Sequence, residues 1–392
     1  MLSVNLLLRS ILGCLLVVCH HSLEHPTIPP ALSYQETHVQ VSDDVFLHTL
    51  EYGDSQSGAA PVVLFVHGFP DLSLSWQYHA QRLAEEGYFV VTPDLRGFGS
   101  SSMPKEGIAV YGRQHLMSDL DALRKHYCGE NGSFALIVGH DFGGTIVWAT
   151  LDKFGLKGDS PIAHSAVIFN APHPRIFFKH ISKPAQAIKS WYMFFFQIPW
   201  LPEVFLYETK FLYHLTAIHY RSPPMKSMIP SIVNVEENLA IYKEALTDYD
   251  RIHAMLSYYR GIKSGLWREL GVDMSKLTML ERLIRWLHGI PPVDDDSCQE
   301  ASADSDETKD DDIRITIPTL VLWGEKDFAL SKELATPPPE IVEHNTVEYF
   351  DDAGHCVHWE QPLETAERLI RFANAHNGNN NGGSSSNATA TV

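Results

Sequence analysis

Phe134-Ala-Leu-Ile-Val-Gly-His-Asp-Phe-Gly-Gly144 begins as an apolar run of strand length, closes in a glycine-rich turn and continues with helical periodicity as far as Phe154. Within it, Gly139-His140-Asp141-Phe142-Gly143 has the form G-x-nucleophile-x-G, in the strand–turn–helix setting that such an elbow requires. Glycine permits the tight turn because it lacks a Cβ. The apex residue is an aspartate, and that determines the chemistry. A serine would need a base before attacking, whereas a carboxylate is already ionised at neutral pH. Attack by the carboxylate on a saturated carbon gives an ester, which water can cleave. A serine would leave an ether, and turnover would stop. The plainer alternative for Asp141 is a cap on the following helix.

On either side of this stretch, residues 61–66, 88–92, 134–138 and 163–169 are continuous apolar runs, the pattern of strands buried on both faces of a parallel sheet. Residues 38–41 and 45–51 read as a leading hairpin, and helical periods at 75–85, 112–127 and 142–154 separate the runs. After Pro174 the strand signals stop, and a helical, aromatic-rich stretch extends to about residue 287. Strands resume at 317–323 and 346–350. The pattern predicts an α/β fold, a mostly parallel sheet flanked by helices with an inserted helical lid. Its expected divisions are a leader (1–25), a first core part (31–173), the lid (174–290), an acidic insert (291–312), a second core part (313–376) and a polar tail (377–392).

Two more residues complete a catalytic set. Asp327, in Trp323-Gly-Glu-Lys-Asp327, follows one strand at its carboxyl end, where the sites of open sheets gather. His355, in Asp351-Asp-Ala-Gly-His355, follows the next. Nucleophile, acid, then histidine is the chain order of the α/β-hydrolases. Taken alone, Asp327 reads equally as a turn residue, and Glu325, Asp351 and Asp352 are rival acids that fit the pattern less well. His67-Gly68-Phe69-Pro70 follows strand 61–66 directly. In this fold that loop and the residue after the nucleophile each aim a backbone N–H at a developing oxyanion. The expected donors are the amides of Phe69 and Phe142.

With HGFP at 67–70, DLRGFGSS at 94–101, GHDFGG at 139–144, EKDF at 325–328 and GH at 354–355, the chain resembles the epoxide hydrolases of the α/β-hydrolase fold. The likeness extends over about residues 34–374, apart from the acidic insert, and is greatest to their membrane-anchored animal branch. Two lid features share it: FFQIP at 195–199, with Tyr192 three residues upstream, and Tyr258-Tyr259-Arg260 ending a helical stretch. The resemblance implies that Tyr192 and Tyr259 donate hydrogen bonds to an epoxide oxygen while Asp141 opens the ring. It further implies that His355, oriented by Asp327, activates the water that releases a vicinal diol. A small apolar epoxide, of a fatty acid or similar lipid, is the implied substrate, with no metal or organic cofactor. The rings of residues 191–202 fit an apolar tunnel, although ordinary packing of lid on core explains each ring as well. Relatives often carry tryptophan where this chain has Phe142, a difference of pocket shape rather than of oxyanion donor. A dehalogenase using the same Asp–His–Asp logic is one rival, disfavoured because Phe142 lacks a side-chain N–H for halide. A non-enzymatic binding protein is the other, although such proteins usually lack part of the triad.

Composition narrows the field further. Hydrophobic residues make up 44% of the 392 and charged residues 20%, which excludes whole-chain disorder, a fibrous repeat and a multi-span membrane protein. The net charge of −18 argues against nucleic acid as a partner, since phosphate binding needs a basic face. Half of it, −9, falls between residues 294 and 312, so the acidity describes one solvated insert rather than the site. A metal-binding or partner segment is the sharper alternative for that run. Five cysteines make no disulfide framework. The leader, with Arg9, an uncharged run from residue 11 to 19 and then polar residues, is signal-peptide shaped. It predicts targeting to the secretory pathway, with anchoring in the endoplasmic reticulum membrane or cleavage and secretion as outcomes and a buried amphipathic helix as the alternative. In that lumen the sequons at Asn131 and Asn387 become glycosylation acceptors.

Overall fold

The computed structural model describes residues 34–54, 60–105, 107–154, 161–221, 235–261 and 314–376. The leader, the acidic insert, the tail with Asn387 and the last part of the expected lid (262–290) lie outside the described residues.

The eight strands are β1 (Gln35–Ser42), β2 (Val45–Tyr52), β3 (Val62–Val66), β4 (Phe89–Pro93), β5 (Leu136–His140), β6 (Ala166–Phe169), β7 (Thr319–Gly324) and β8 (Asn345–Phe350). They form one sheet in the order β1-β2-β4-β3-β5-β6-β7-β8. The β1–β2 hairpin joins β4 antiparallel, and every pairing from β4 to β8 is parallel. Strands β4 to β7 are rich in valine, isoleucine, leucine and phenylalanine and are buried throughout, because helices cover both faces. Edge strand β1 is mostly exposed and correspondingly polar.

The flanking helices are α1 (Gln77–Glu85), α2 (Arg113–Cys128), α3 (Phe142–Phe154) and, after the lid, α11 (Val357–Glu360) and α12 (Pro362–His376). The described part of the lid comprises α4 (Pro174–Ile181), α5 (Pro184–Lys189), α6 (Trp191–Phe195), α7 (Leu201–Thr209), α8 (Phe211–Tyr220), α9 (Val235–Leu246) and α10 (Tyr249–Gly261). Among the described residues no helix is long and apolar enough to cross a membrane.

Several boundaries differ from expectation. The run at 134–138 pairs as β5 only from Leu136, with Phe134 making an isolated bridge to Ala163. The run at 163–169 shortens to Ala166–Phe169. Apolar runs mark burial, and burial extends beyond the residues that share ladder hydrogen bonds. Strand β5 runs on to His140, so the elbow begins at the last paired residue. The helix expected at 75–85 is preceded by a 3-10 turn, Ser73–Trp76, and becomes α-helical at Gln77.

Candidate active site

Asp141 sits at the carboxyl end of β5 with φ of +50°, in the left-handed region that a non-glycine residue rarely occupies. Such a conformation costs about 1–3 kcal/mol and persists only where its surroundings enforce it. The elbow packs against β3, where a Cβ on Gly143 would lie 2.3 Å from the Val66 carbonyl oxygen. Phe142 is the first residue of α3, so its N–H has no carbonyl four residues back to serve.

The loop after β3 comes equally close. A Cβ on Gly68 would stand 2.5 Å from that of Asp141. Glycine there lets the Phe69 N–H donate to Asp141 Oδ1 at 2.9 Å. His67 fixes the loop. Its Nε2 accepts from the Leu95 N–H at 3.0 Å, which leaves the proton on Nδ1 to donate to the Gly68 carbonyl at 2.8 Å. The histidine of HGFP is therefore a brace rather than a reactant.

His355 lies between two carboxylates. Its Nε2 is 3.2 Å from Asp141 Oδ2 and its Nδ1 is 2.8 Å from Asp327 Oδ2. Asp327 is tightly held, with Oδ1 accepting from the Ala329 and Leu330 N–H groups at 2.7 and 2.9 Å. Its Oδ2 also accepts from Asn170 Nδ2 at 2.8 Å. Asn170, with φ of +38°, links β6 to β7 by accepting the Gly324 N–H on Oδ1 at 2.9 Å. The lid joins in through Lys189, whose Nζ donates to the Asp327 and Leu330 carbonyls. Neither Asn170 nor Lys189 was expected from the sequence. Asn170 directly follows the strand 163–169, at the same carboxyl edge as the other site residues, and that position was the available signal. The rival acids lie elsewhere: Glu325 pairs with Lys332, Asp352 pairs with Lys326, and Asp351 is exposed.

Burial works to raise the Asp141 carboxyl, but its hydrogen bond to His355 and the adjacent positive charge outweigh it and hold the group below the usual range. Asp327 is lowered in the same way. Burial opposes the charge on His355, yet Asp327 and Asp141 together raise it well above its ordinary 6.5. These shifts favour a protonated His355 flanked by two ionised carboxylates.

The lid places Tyr192 and Tyr259 over this array. Their rings meet at 6.0 Å and 84°. Tyr259 packs edge-on against Phe142 at 4.7 Å and Phe69 at 5.2 Å, the two residues whose amides flank Asp141. Burial first, then the negative charge of Asp141, raises the Tyr192 hydroxyl well above the ordinary tyrosine range. Burial, Tyr192 and Asp141 do the same to Tyr259. Both stay neutral donors. Adjacent Tyr258 ties the helix to the core, its hydroxyl donating to the Arg96 carbonyl at 2.7 Å. Arg260 braces the two tyrosine-bearing segments together: it donates to the Phe196 and Ile198 carbonyls and pairs with buried Glu203 at 2.5 Å. Gln197 adds a bond from its side chain to the Tyr259 carbonyl at 2.9 Å.

Among the described residues one group has metal-ligand geometry: buried Asp71, His140 and His358, with ligand atoms within 4.8 Å of one another. Burial pushes His140 down to about 3 and His358 well below its ordinary value, so both are neutral. Asp71 already accepts from the Tyr242 hydroxyl and the Leu72 N–H. His140 Nε2 donates to the His355 carbonyl at 3.0 Å, so the cluster supports His355 from behind.

Residues 63–368 match the model of the alpha/beta hydrolase family. Epoxide hydrolase 3 of Xenopus tropicalis is 28% identical over 340 residues, 86% of this chain and 77% of that protein. The AB hydrolase superfamily protein YfhM of Bacillus subtilis (strain 168) is 26% identical over 315 residues, 80% of this chain and 90% of that one. A solved structure described as one of the novel epoxide hydrolases in metagenomes from hot environments matches with a TM-score of 0.60 at 26% identity, covering 87% of this chain and 99% of its own. On fold, matched length and site geometry, the chain belongs to the alpha/beta hydrolase family.

Proposed function

We propose that this protein hydrolyses epoxides to vicinal diols, with lipid-like epoxides such as epoxy fatty acids as substrates, through a covalent ester on Asp141. The observation that carries the reading is a carboxylate, not a hydroxyl, at the elbow, 3.2 Å from a histidine and roofed by buried Tyr259 and half-buried Tyr192. Relatives named epoxide hydrolases support it.

In the first step Asp141 attacks the less hindered epoxide carbon, and that carbon–oxygen bond breaks. Tyr192 and Tyr259 donate to the oxygen as it becomes an alkoxide, and the alkoxide then takes up the proton that His355 gives up. Esterification removes the Asp141 charge, one of the causes that hold His355 protonated. His355 therefore releases its proton and becomes a base only after the ester exists. Asp327 keeps the ring oriented through Nδ1.

In the second step neutral His355 takes a proton from water, and the hydroxide attacks the ester carbonyl carbon. Phe69 already bonds Asp141 Oδ1, so its amide is in place for the oxyanion, with that of Phe142 as the second donor. The intermediate collapses, the proton of the new Asp141 carboxyl passes to the departing alkoxide, and the diol leaves with Asp141 ionised and His355 protonated as at the start. No step calls on a metal or organic cofactor.

The test is product analysis with a lipid epoxide and, in parallel, a chloroalkane of similar length. Diol formation that disappears in Asp141→Ala is expected. Diol formation that survives the substitution refutes the site, and chloride release without diol formation replaces the reading with dehalogenation.

A further inference from the structure

The large apolar side chains left exposed are concentrated on the lid and its border with the site: Ile188, Trp191, Leu201, Val204, Tyr207 and Phe328. Ile188 is 73% exposed, Trp191 53% and Phe328 51%, beyond what an isolated surface residue needs. The surface they make is continuous through packing. Phe195 touches both Trp191 and Phe205, which joins α6 to α7. Leu201, Val204 and Tyr207 recur every third residue along α7 and line its outer side. Lys189, between Ile188 and Trp191 in sequence, bonds the carbonyls of Asp327 and Leu330 and so draws α5 against the loop of Phe328. Phe328 in turn lies edge-on to the catalytic His355 ring at 5.6 Å. The exposed surface therefore ends one ring away from the reacting groups.

Its charge is opposite to that of the chain. Residues 174–221 contain six basic and two acidic residues, and with Arg175 and Arg221 paired to Asp152 and Glu236 outside the stretch a net of +2 is left, in a protein whose total is −18. One of the two acids, Glu203, is buried against Arg260. Lys183 precedes the helix of Ile188, and Lys210 closes the helix of Tyr207. Both are exposed, and neither pairs with an acid among the described residues. Tryptophan, tyrosine and branched aliphatic side chains bordered by lysine are the composition that settles at a lipid–water interface.

We propose that this face of the lid, α5 to α7 with Phe328, docks on an anionic lipid surface, seating the site entrance on the phase in which apolar substrates dissolve. The docking stands on exposure and charge and does not depend on which bond the site breaks. It is separate from any insertion of the N-terminal leader.

The test uses the full chain with a cysteine at Val204 (Val204→Cys) carrying an environment-sensitive fluorophore, and the same probe at Phe46 (Phe46→Cys), an apolar residue exposed on β2. Vesicles of phosphatidylcholine with about one third phosphatidylglycerol are added. A blue shift and quenching by acyl-brominated lipid at residue 204 but not at residue 46 is expected, and replacing Lys183 and Lys210 by glutamate should weaken it several-fold. Because the readout is local, binding through the leader alone leaves residue 204 unshifted and overturns the proposal. Equal shifts at both positions also overturn it. A shift at residue 204 that grows with protein concentration without lipid assigns the face to a second copy of the chain instead.

Discussion

Core and lid hold their catalytic groups by different means. In the core, Asp141 and Asp327 are fixed by backbone, through an elbow with positive φ, a loop of amides around Asp327 and the HGFP turn, and they in turn hold His355 between them. In the lid, Tyr192 and Tyr259 are fixed by rings packed against rings and by one buried ion pair, Arg260 with Glu203. In the proposed mechanism the core set makes and breaks the bonds, and the packed set only stabilises charge. Errors in the first should therefore stop the reaction, and errors in the second should slow it.

The sharpest break is at His355. His355→Gln should lower turnover by about 10⁴-fold or more, as removal of a triad member does, while Asp141 still becomes esterified once. Mass spectrometry of the protein after mixing with epoxide should show the adduct accumulating. A variant that turns over normally would remove His355 from the second step.

Tyr192→Phe and Tyr259→Phe come next. Each should cost up to about 10²-fold in kcat/KM, and the pair about 10³-fold or more, since both serve one oxygen. Equal losses in the single and double variants would mean that only one hydroxyl reaches the substrate.

Arg260→Leu tests the brace. It leaves Glu203 buried with only His253, at 2.8 Å, as a partner, which should cost about 3 kcal/mol of stability and reduce activity through the tyrosines. The pH dependence has a definite sign. Burial would raise Glu203, but His253 and Arg260 bring it down to about 2 from an ordinary 4.5. A depressed carboxyl stabilises the fold above its unfolded value, and the contribution of about 3 kcal/mol is lost as pH falls from 4.5 towards 2. Urea midpoints across that window should converge for wild type and variant.

Asn170→Ala should have the smallest effect, about tenfold in kcat, by loosening Asp327 without removing it. A loss as large as that of His355→Gln would make Asn170 more than a positioning residue.

This division also explains what could be read in the sequence. Strand, turn and helix around Asp141, and the positions of Asp327 and His355 just past strands, are local patterns of a few residues each. The α/β fold and the triad positions follow from them. Asn170 also stands just past a strand, but its bond to Asp327 and the bonds of Lys189 to the site join residues more than 130 positions apart, and no local spacing marks such contacts. The lid tyrosines were placed through family resemblance alone. Their brace of Arg260, Glu203 and Gln197 became visible only with tertiary packing, because a buried ion pair and an exposed one look the same in a string of letters.

The most direct test of the central claim is a single turnover of excess enzyme with a lipid epoxide in ¹⁸O-water, followed by mass analysis of the peptide containing Asp141. Water attacks the ester carbonyl carbon in this account, so one oxygen of the Asp141 carboxylate should become ¹⁸O while the diol oxygens come from epoxide and enzyme. Label in the diol with none in Asp141 would mean direct attack of water on the epoxide, and would contradict the covalent mechanism.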